Sequence, residues 1–154
     1  MSYSLKIKDG DIVPSNGKLK TIEGLEKLIQ DLRLWLLEAL GTDRFHPKFG
    51  SSLDDEIGTI DPKIASVNVK AEILRVLQNY QVAQSNKIQK EKWIYQNSIM
   101  KQGYWIMSKE EVLSSINGIQ ISTQGSIMNV QVSLTTYSGV EAILPLTIDF
   151  YSLS

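Results

Sequence analysis

Cysteine is absent. Disulfides, thiolate nucleophiles and cysteine-type zinc sites are therefore excluded together, while the compartment is left open. Histidine occurs once, at His46, so any Ser-His-Asp arrangement must use that imidazole, and no serine lies in a Gly-x-Ser-x-Gly turn between a strand and a helix. A zinc site lacks its second and third nitrogen or sulfur ligands, and no metal or cofactor is expected. Charge of one sign is lacking too: 16 basic and 17 acidic residues give a net charge of −1, interspersed along the chain. A basic surface for general nucleic-acid binding is not expected. The longest apolar stretch, Leu32 to Leu40, is broken by Arg33 and Glu38. Neither a membrane span nor a secretion signal is expected, and the site of action is taken as the cytoplasm or an assembly built there. Without repeats or low-complexity linkers, 154 residues read as a single domain, 1–154, large enough to bury a core.

What is present is a change of period along the chain. Leu5 to Ile22 mixes short apolar pairs with the turn signals "DGD" and "PSNG", which predicts two short extended segments around a tight turn. Leu25, Leu28, Ile29, Leu32, Leu36 and Leu40 then follow three-and-four spacing, a helix from Glu23 that Gly41 is expected to end. Leu34, Trp35 and Leu37 widen its apolar face, so cover on more than one side is expected. Asp61 as N-cap and Pro62 at the first helical position open a second helix of about five turns. Its expected buried face is Ile64, Val67, Ala71, Leu74 and Leu77, joined by Ile60, Ile73 and Tyr80. Extra helical material is expected over about 85–115: a weaker third helix from Ser85 to Gly103 and a short fourth opened by the capping box "SKEE", Ser108 to Glu111.

The last third alternates. Ile119 and Ile121, then Met128, Val130, Val132 and Leu134, then Val140, Ala142, Leu144, Leu146, Ile148 and Phe150 predict a three-stranded antiparallel meander with one buried face. Pro145 cannot donate to a ladder, so the last strand belongs at an edge or at a bulge. An open edge is either protected from stray pairing or reserved for a partner's strand. The fold class is α+β: two main amphipathic helices, with the helical insertion, packed on an antiparallel sheet.

Candidate chemistry is thin. Glu38, inside "LWLLEALG", would make a general acid if burial raised its pKa, with Asp43, Asp54 or Asp55 as the second carboxyl of a glycosidase pair. A charged position on the exposed side of the helix is the simpler reading. "GSSLDDEIG" lacks a P-loop lysine. Trp93, Tyr95, Tyr104 and Trp105 suit packing at a core or an interface better than a base-stacking platform. His46 and Pro47, with Phe49 and Gly50, read as loop-shaping residues.

Gly10 to Gly58 carries a resemblance. Gly10-Asp11 before a turn, Gly24 before a helix, Gln30-Asp31 within it, Leu40-Gly41 at its end, and "HPKFGSSL", His46 to Leu53, resemble in order and spacing the small baseplate wedge subunit of contractile phage tails. That family also includes a baseplate component of type VI secretion systems. "EILRVLQNY", Glu72 to Tyr80, continues the likeness, and the meander looks like the family's sheet. The resemblance implies a non-enzymatic structural protein of the virion tail baseplate, assembled in the host cytoplasm, although members have carried a lysozyme label. It implies other wedge proteins and the tail sheath protein as partners, and the start of sheath polymerisation, partly by strand pairing. Small-molecule substrates, nucleic acid and membranes are not implied. Many members carry a Glu-Pro-Arg triplet after the second helix, where this chain reads "QNYQVAQ", Gln78 to Gln84; that docking site does not carry over. The expected partner-binding residues are Val140, Ala142, Leu144, Pro145 and Leu146 on the edge strand, with Trp93 and Trp105 on the insertion. Gly41, His46, Pro47, Phe49 and Gly50 are expected to set the loop between the helices. A peptidoglycan-degrading lysozyme-like enzyme and a generic adaptor module are the alternatives.

Overall fold

The computed structural model describes residues 3–38, 44–45, 50–51, 53, 62–97 and 107–149, with only the backbone at 62–64 and 94–97. The expected α+β class is observed: two helices and a C-terminal three-stranded antiparallel sheet, preceded by small two-stranded ladders.

The N-terminal arm is more folded than its sequence predicts. Six short strands, β1 (Tyr3–Leu5), β2 (Ile7–Lys8), β3 (Asp11–Ile12), β4 (Pro14–Ser15), β5 (Lys18–Leu19) and β6 (Thr21–Glu23), pair as β1 with β6, β2 with β3 and β4 with β5. The two inner hairpins turn at Asp9-Gly10 and Asn16-Gly17, where both central residues have positive φ (53° and 82°, then 49° and 73°). That conformation matches the strand twist in two-residue hairpins and selects Asp-Gly and Asn-Gly. The three ladders meet in a ring of main-chain bonds: Lys6 N–H donates to Lys20 O (2.8 Å), Lys20 N–H to Val13 O (3.0 Å) and Val13 N–H to Lys6 O (3.0 Å).

Helix α1 (Gly24–Leu37) buries Leu28, Leu32 and Leu36, with Leu25, Ile29 and Trp35 packed beside them. Leu34 and Leu37 remain exposed. The helix ends before Gly41, which lies outside the described residues. Glu38 is already extended, because Ser51 supplies partners for the last carbonyls: its Oγ donates to Leu36 O and its N–H to Glu38 O at 2.7 Å. A helix whose terminal acceptors are met by another segment can stop there. The arm is laid on α1 by Gln30, whose Nε2 donates to Leu5 O (2.9 Å) while Oε1 accepts from Ile7 N–H (2.8 Å). The side-chain amide thus stands in for one rung of a strand, and Lys6 pairs with Glu26 at 2.7 Å alongside.

Helix α2 (Pro62–Asn97) begins at Pro62 as expected but runs 36 residues without interruption, about 54 Å at 1.5 Å per residue. The separate third helix from Ser85 is therefore corrected: the chain from 63 to 102 holds neither glycine nor proline, so nothing stops propagation after Tyr80. The expected buried face holds at Ile73, Leu77 and Tyr80 and is corrected elsewhere; Ile60 and the Ile64 side chain lie outside the described residues. Ala65, Val69, Ile73, Val76, Leu77 and Tyr80 are buried, whereas Val67 and Leu74 are 67% and 40% exposed and Ala71 is exposed too. Both stripes have helical spacing; the chosen one places Gln84 against the backbone beyond α2. The short fourth helix is a single 3-10 turn, Lys109–Glu111, where Glu111 Oε2 accepts from Ser108 N–H at 2.9 Å.

Strands β7 (Leu113–Gln124), β8 (Ile127–Thr136) and β9 (Glu141–Asp149) form the expected meander, with β8 at the centre. Pro145 is on an edge strand, opposite Gln131, as its missing N–H requires. Met128, Val130, Val132, Leu134, Leu144, Leu146 and Ile148 face the helices in one core with Leu28, Leu32, Ile73 and Leu77. Within that layer α1 contacts β9 and α2 contacts β7.

Gln30→Ala removes both arm contacts. The expected loss is about 1–2 kcal/mol, with faster amide exchange at Ile7; thermal melting and exchange by NMR check it, and an unchanged Ile7 rate would show that the arm is held otherwise.

Candidate functional site

Of the loop residues expected to set the helix–helix geometry, Gly41, His46, Pro47 and Phe49 lie outside the described residues, as do Asp43, Asp54 and Asp55. Gly50 has φ 102°, which a residue with a Cβ rarely adopts. Beyond it, Ser51 and Leu53 are buried, and Ser51 fastens the end of α1. Gly24, before that helix, has φ 61°, and an added Cβ would lie 3.3 Å from Glu110 Oε2. Gln30 holds the arm. These residues, which carry the resemblance, occupy structural posts.

A polar seam that the sequence reading missed crosses the core. Asp31 pairs with Lys27 at 3.3 Å and accepts a hydrogen bond from the Tyr80 hydroxyl. The Tyr80 ring meets Trp35 edge-on, with centroids 5.4 Å apart. One turn on, Gln84 is buried; its Nε2 donates to Glu111 O (2.6 Å) and Tyr80 Oη (3.2 Å), and its Oε1 accepts from Leu113 N–H (2.9 Å). Gln81 Nε2 donates to Ser114 O at 3.0 Å. The "QNYQVAQ" segment thus clamps α2 to the entry of the sheet. A cleft of about 260 Å³ opens beside Trp35, Tyr80, Ala83 and Lys87. Tyr80 is pushed well above the ordinary tyrosine value by burial first, then by the charge and hydrogen bond of Asp31 and the charge of Glu111; it is a neutral donor.

Glu38 is exposed just beyond the last turn of α1, so the desolvation required of a general acid is not met there. Among the described residues no cluster of three or more His, Asp or Glu side chains is placed to hold a metal, and no helix is long and apolar enough to cross a membrane.

The expected interface residues separate into distinct environments. Leu144 and Leu146 point into the core, Ala142 is half-buried, Val140 lies exposed just before β9, and Pro145 is exposed within it. Side chains therefore do little at that edge, and main-chain groups are what it offers. The outer face of the sheet is polar and uncharged across Gln120, Ser122, Asn129, Gln131 and Thr147, with Glu141 and Asp149 at the two ends of β9 and Ile127 and Ile143 exposed among them. Trp93 is 66% exposed on α2, whereas Trp105 lies outside the described residues. From Ser85 to Trp93 no side chain of α2 is buried, so this half of the helix projects from the core. A groove of about 620 Å³, bordered by Val82, Ile88, Lys92, Met107 and Tyr137, separates it from the start of β7.

Comparison with protein-family models, with curated proteins and with solved structures gives no match to this chain.

The seam yields a pH test. Tyr80 has a raised pKa in the fold, so its stabilisation is complete below the unfolded value near 10 and is lost as pH rises above it, because only the unfolded chain then ionises that tyrosine. Stability, followed by thermal melting, is expected to fall as pH rises above about 10, approaching roughly 1.4 kcal/mol per pH unit for this one group, and to fall less steeply in Tyr80→Phe. Equal slopes in the two proteins would contradict the role given to the ring hydroxyl.

Proposed function

We propose that this chain is a non-enzymatic structural subunit of a contractile tail baseplate wedge. In this reading it is assembled in the bacterial cytoplasm, joins the other wedge proteins to the tail sheath protein and starts sheath polymerisation by strand pairing at the meander. The observation that carries the reading is the position of the resembling residues. Gly24, Gln30, Asp31, Ser51 and Leu53 hold the arm, the end of α1 and the helix–sheet seam, and Glu38 is left in solvent. The surfaces that remain are a projecting helix and the edges of a sheet, which suit docking.

Wedge contact is assigned to the distal half of α2. It displays Trp93 and the cations Lys87, Lys90 and Lys92 around one anion, Glu91, a mixed apolar and basic surface suited to a partner helix with acidic flanks. It follows directly on Gln78–Gln84, the segment that stands in place of the Glu-Pro-Arg triplet.

The test is recovery of the tagged chain from cells producing the particle, under mild conditions, with co-purifying chains identified by mass spectrometry. Large wedge subunits and sheath in fixed ratio are expected. Trp93→Ala should reduce wedge recovery about tenfold, the effect of removing an interface anchor, while the melting temperature stays within a degree or two because the side chain is exposed. Recovery alone, with unrelated proteins or with cell-wall fragments contradicts the reading.

A further inference from the structure

Alternation along β8 decides which main-chain groups of the two edge strands face outward. Thr136 N–H donates to Val140 O at 3.0 Å, so ladder bonds to β9 fall on every second pair from there: Leu134 with Ala142, Val132 with Leu144, Val130 with Leu146 and Met128 with Ile148. Glu141, Ile143, Pro145, Thr147 and Asp149 consequently turn their backbone away from β8. Pro145 has no N–H, so the outer side of β9 lacks a donor at its centre, and a carboxylate stands at each end. Proline and charge are the usual protections of an edge against strand addition.

The other edge is built differently. Because β8 uses its even-numbered residues on β9, Gly118, Gln120, Ser122 and Gln124 bond to Ser133, Gln131, Asn129 and Ile127, and Ile119, Ile121 and Thr123 face outward. None of Gly118 to Gln124 is proline or charged, and among the described residues no hydrogen bond reaches the outer side of Ile119, Ile121 or Thr123. The upstream part of the same strand is closed. Register shifts interrupt it between Leu113 and Ser115 and between Ile116 and Gly118, and Gln84 and Gln81 already occupy Leu113 N–H and Ser114 O.

We infer that Gly118–Gln124 on β7, and not β9, is the strand-accepting edge of this chain, and that it takes an extended segment of another polypeptide. That segment carries apolar side chains on the side of Ile119 and Ile121 and uncharged polar ones on the side of Gln120 and Ser122, continuing both faces of the sheet. The inference rests on the strand-pairing reading above and moves its site from β9 to β7. A second copy is not the proposed occupant: two such edges paired about Ile121 would join two folded sheets along Gly118–Gln124 alone, roughly 24 Å of strand, and a β7-paired dimer is an outcome of the test that rules against the inference.

Matched variants test this. Thr123→Pro and Ile143→Pro each delete one outward N–H at an exposed side chain and leave the ladders to β8 whole; circular dichroism establishes that both fold. In particle-producing cells, Thr123→Pro should lose sheath at least tenfold while retaining wedge subunits, and Ile143→Pro should retain both. The same behaviour in both variants, or the reverse order, overturns the assignment. A partner-independent arm uses the isolated unsubstituted chain with a synthetic peptide of Ile127–Thr136, a strand of the stated alternation. Slowed amide exchange at Ile119, Ile121 and Thr123 is expected. Absence of slowing, slowing at Ile143 and Thr147 instead, or a β7-paired dimer without peptide overturns the inference. Failure of the unsubstituted chain to recover wedge or sheath removes the baseplate reading alone, and the peptide arm then decides the edge.

Discussion

Gln84 is the contact on which the two halves of the molecule depend. Its side-chain amide holds the carbonyl of Glu111 and the N–H of Leu113 inside the core, where an unmet main-chain group costs about 1–3 kcal/mol. The chain leaves α2 and returns as a sheet, and that return is fixed inside the core by Gln84 and beside it by Gln81, which donates to Ser114 O. Tyr80 and Asp31 extend the contact to α1, so both helices and the start of β7 meet at a single polar seam within an otherwise apolar layer. Such a seam specifies register, since helical packing alone allows α2 more than one buried stripe.

The same contact divides α2. Up to Gln84 the helix has a buried face; beyond it every described side chain is exposed or half-buried. Propagation this far past its support follows from a sequence with neither glycine nor proline from 63 to 102. The sheet has a related division. One part of β7 is tied down by Gln81 and Gln84 and bent by two register shifts, and the rest is straight, neutral and open. The surfaces proposed for docking thus lie where the seam's constraint ends.

Much of the scaffold was legible because it rests on period and on residues with one physical meaning. The alternation from Ile119 to Ile148 specified the meander, Pro145 its edge, Pro62 the start of α2, and the Ser108–Glu111 spacing a helical turn. Other features were hidden for identifiable reasons. The boundary expected at Ser85 was a change of burial, not of secondary structure: a helix that no longer buries one face loses its apolar period without ending. Val67, Ala71 and Leu74 had helical spacing, but tertiary packing selected Ala65, Val69 and Val76 to join the expected Ile73, Leu77 and Tyr80. Gln84 gave no signal, since a glutamine within a helix normally reads as surface; only the backbone groups across from it explain its burial. The arm's turns were visible in "DGD" and "PSNG", but the ring of bonds joining Lys6, Val13 and Lys20 depends on contacts no local pattern encodes. At the surfaces, Pro145 was read as marking an open edge, whereas the ladder phase turns its missing donor outward.

The account is tested most directly by amide hydrogen exchange on the isolated full chain. Leu113 N–H and the buried-face amides of α2 up to Gln84 should open only with global unfolding, while amides from Ser85 to Asn97 should exchange through local fraying, orders of magnitude faster. Uniform protection along the whole of α2, or exchange at Leu113 as fast as at an open sheet edge, would contradict the claim that Gln84 marks where the core ends and the docking surfaces begin.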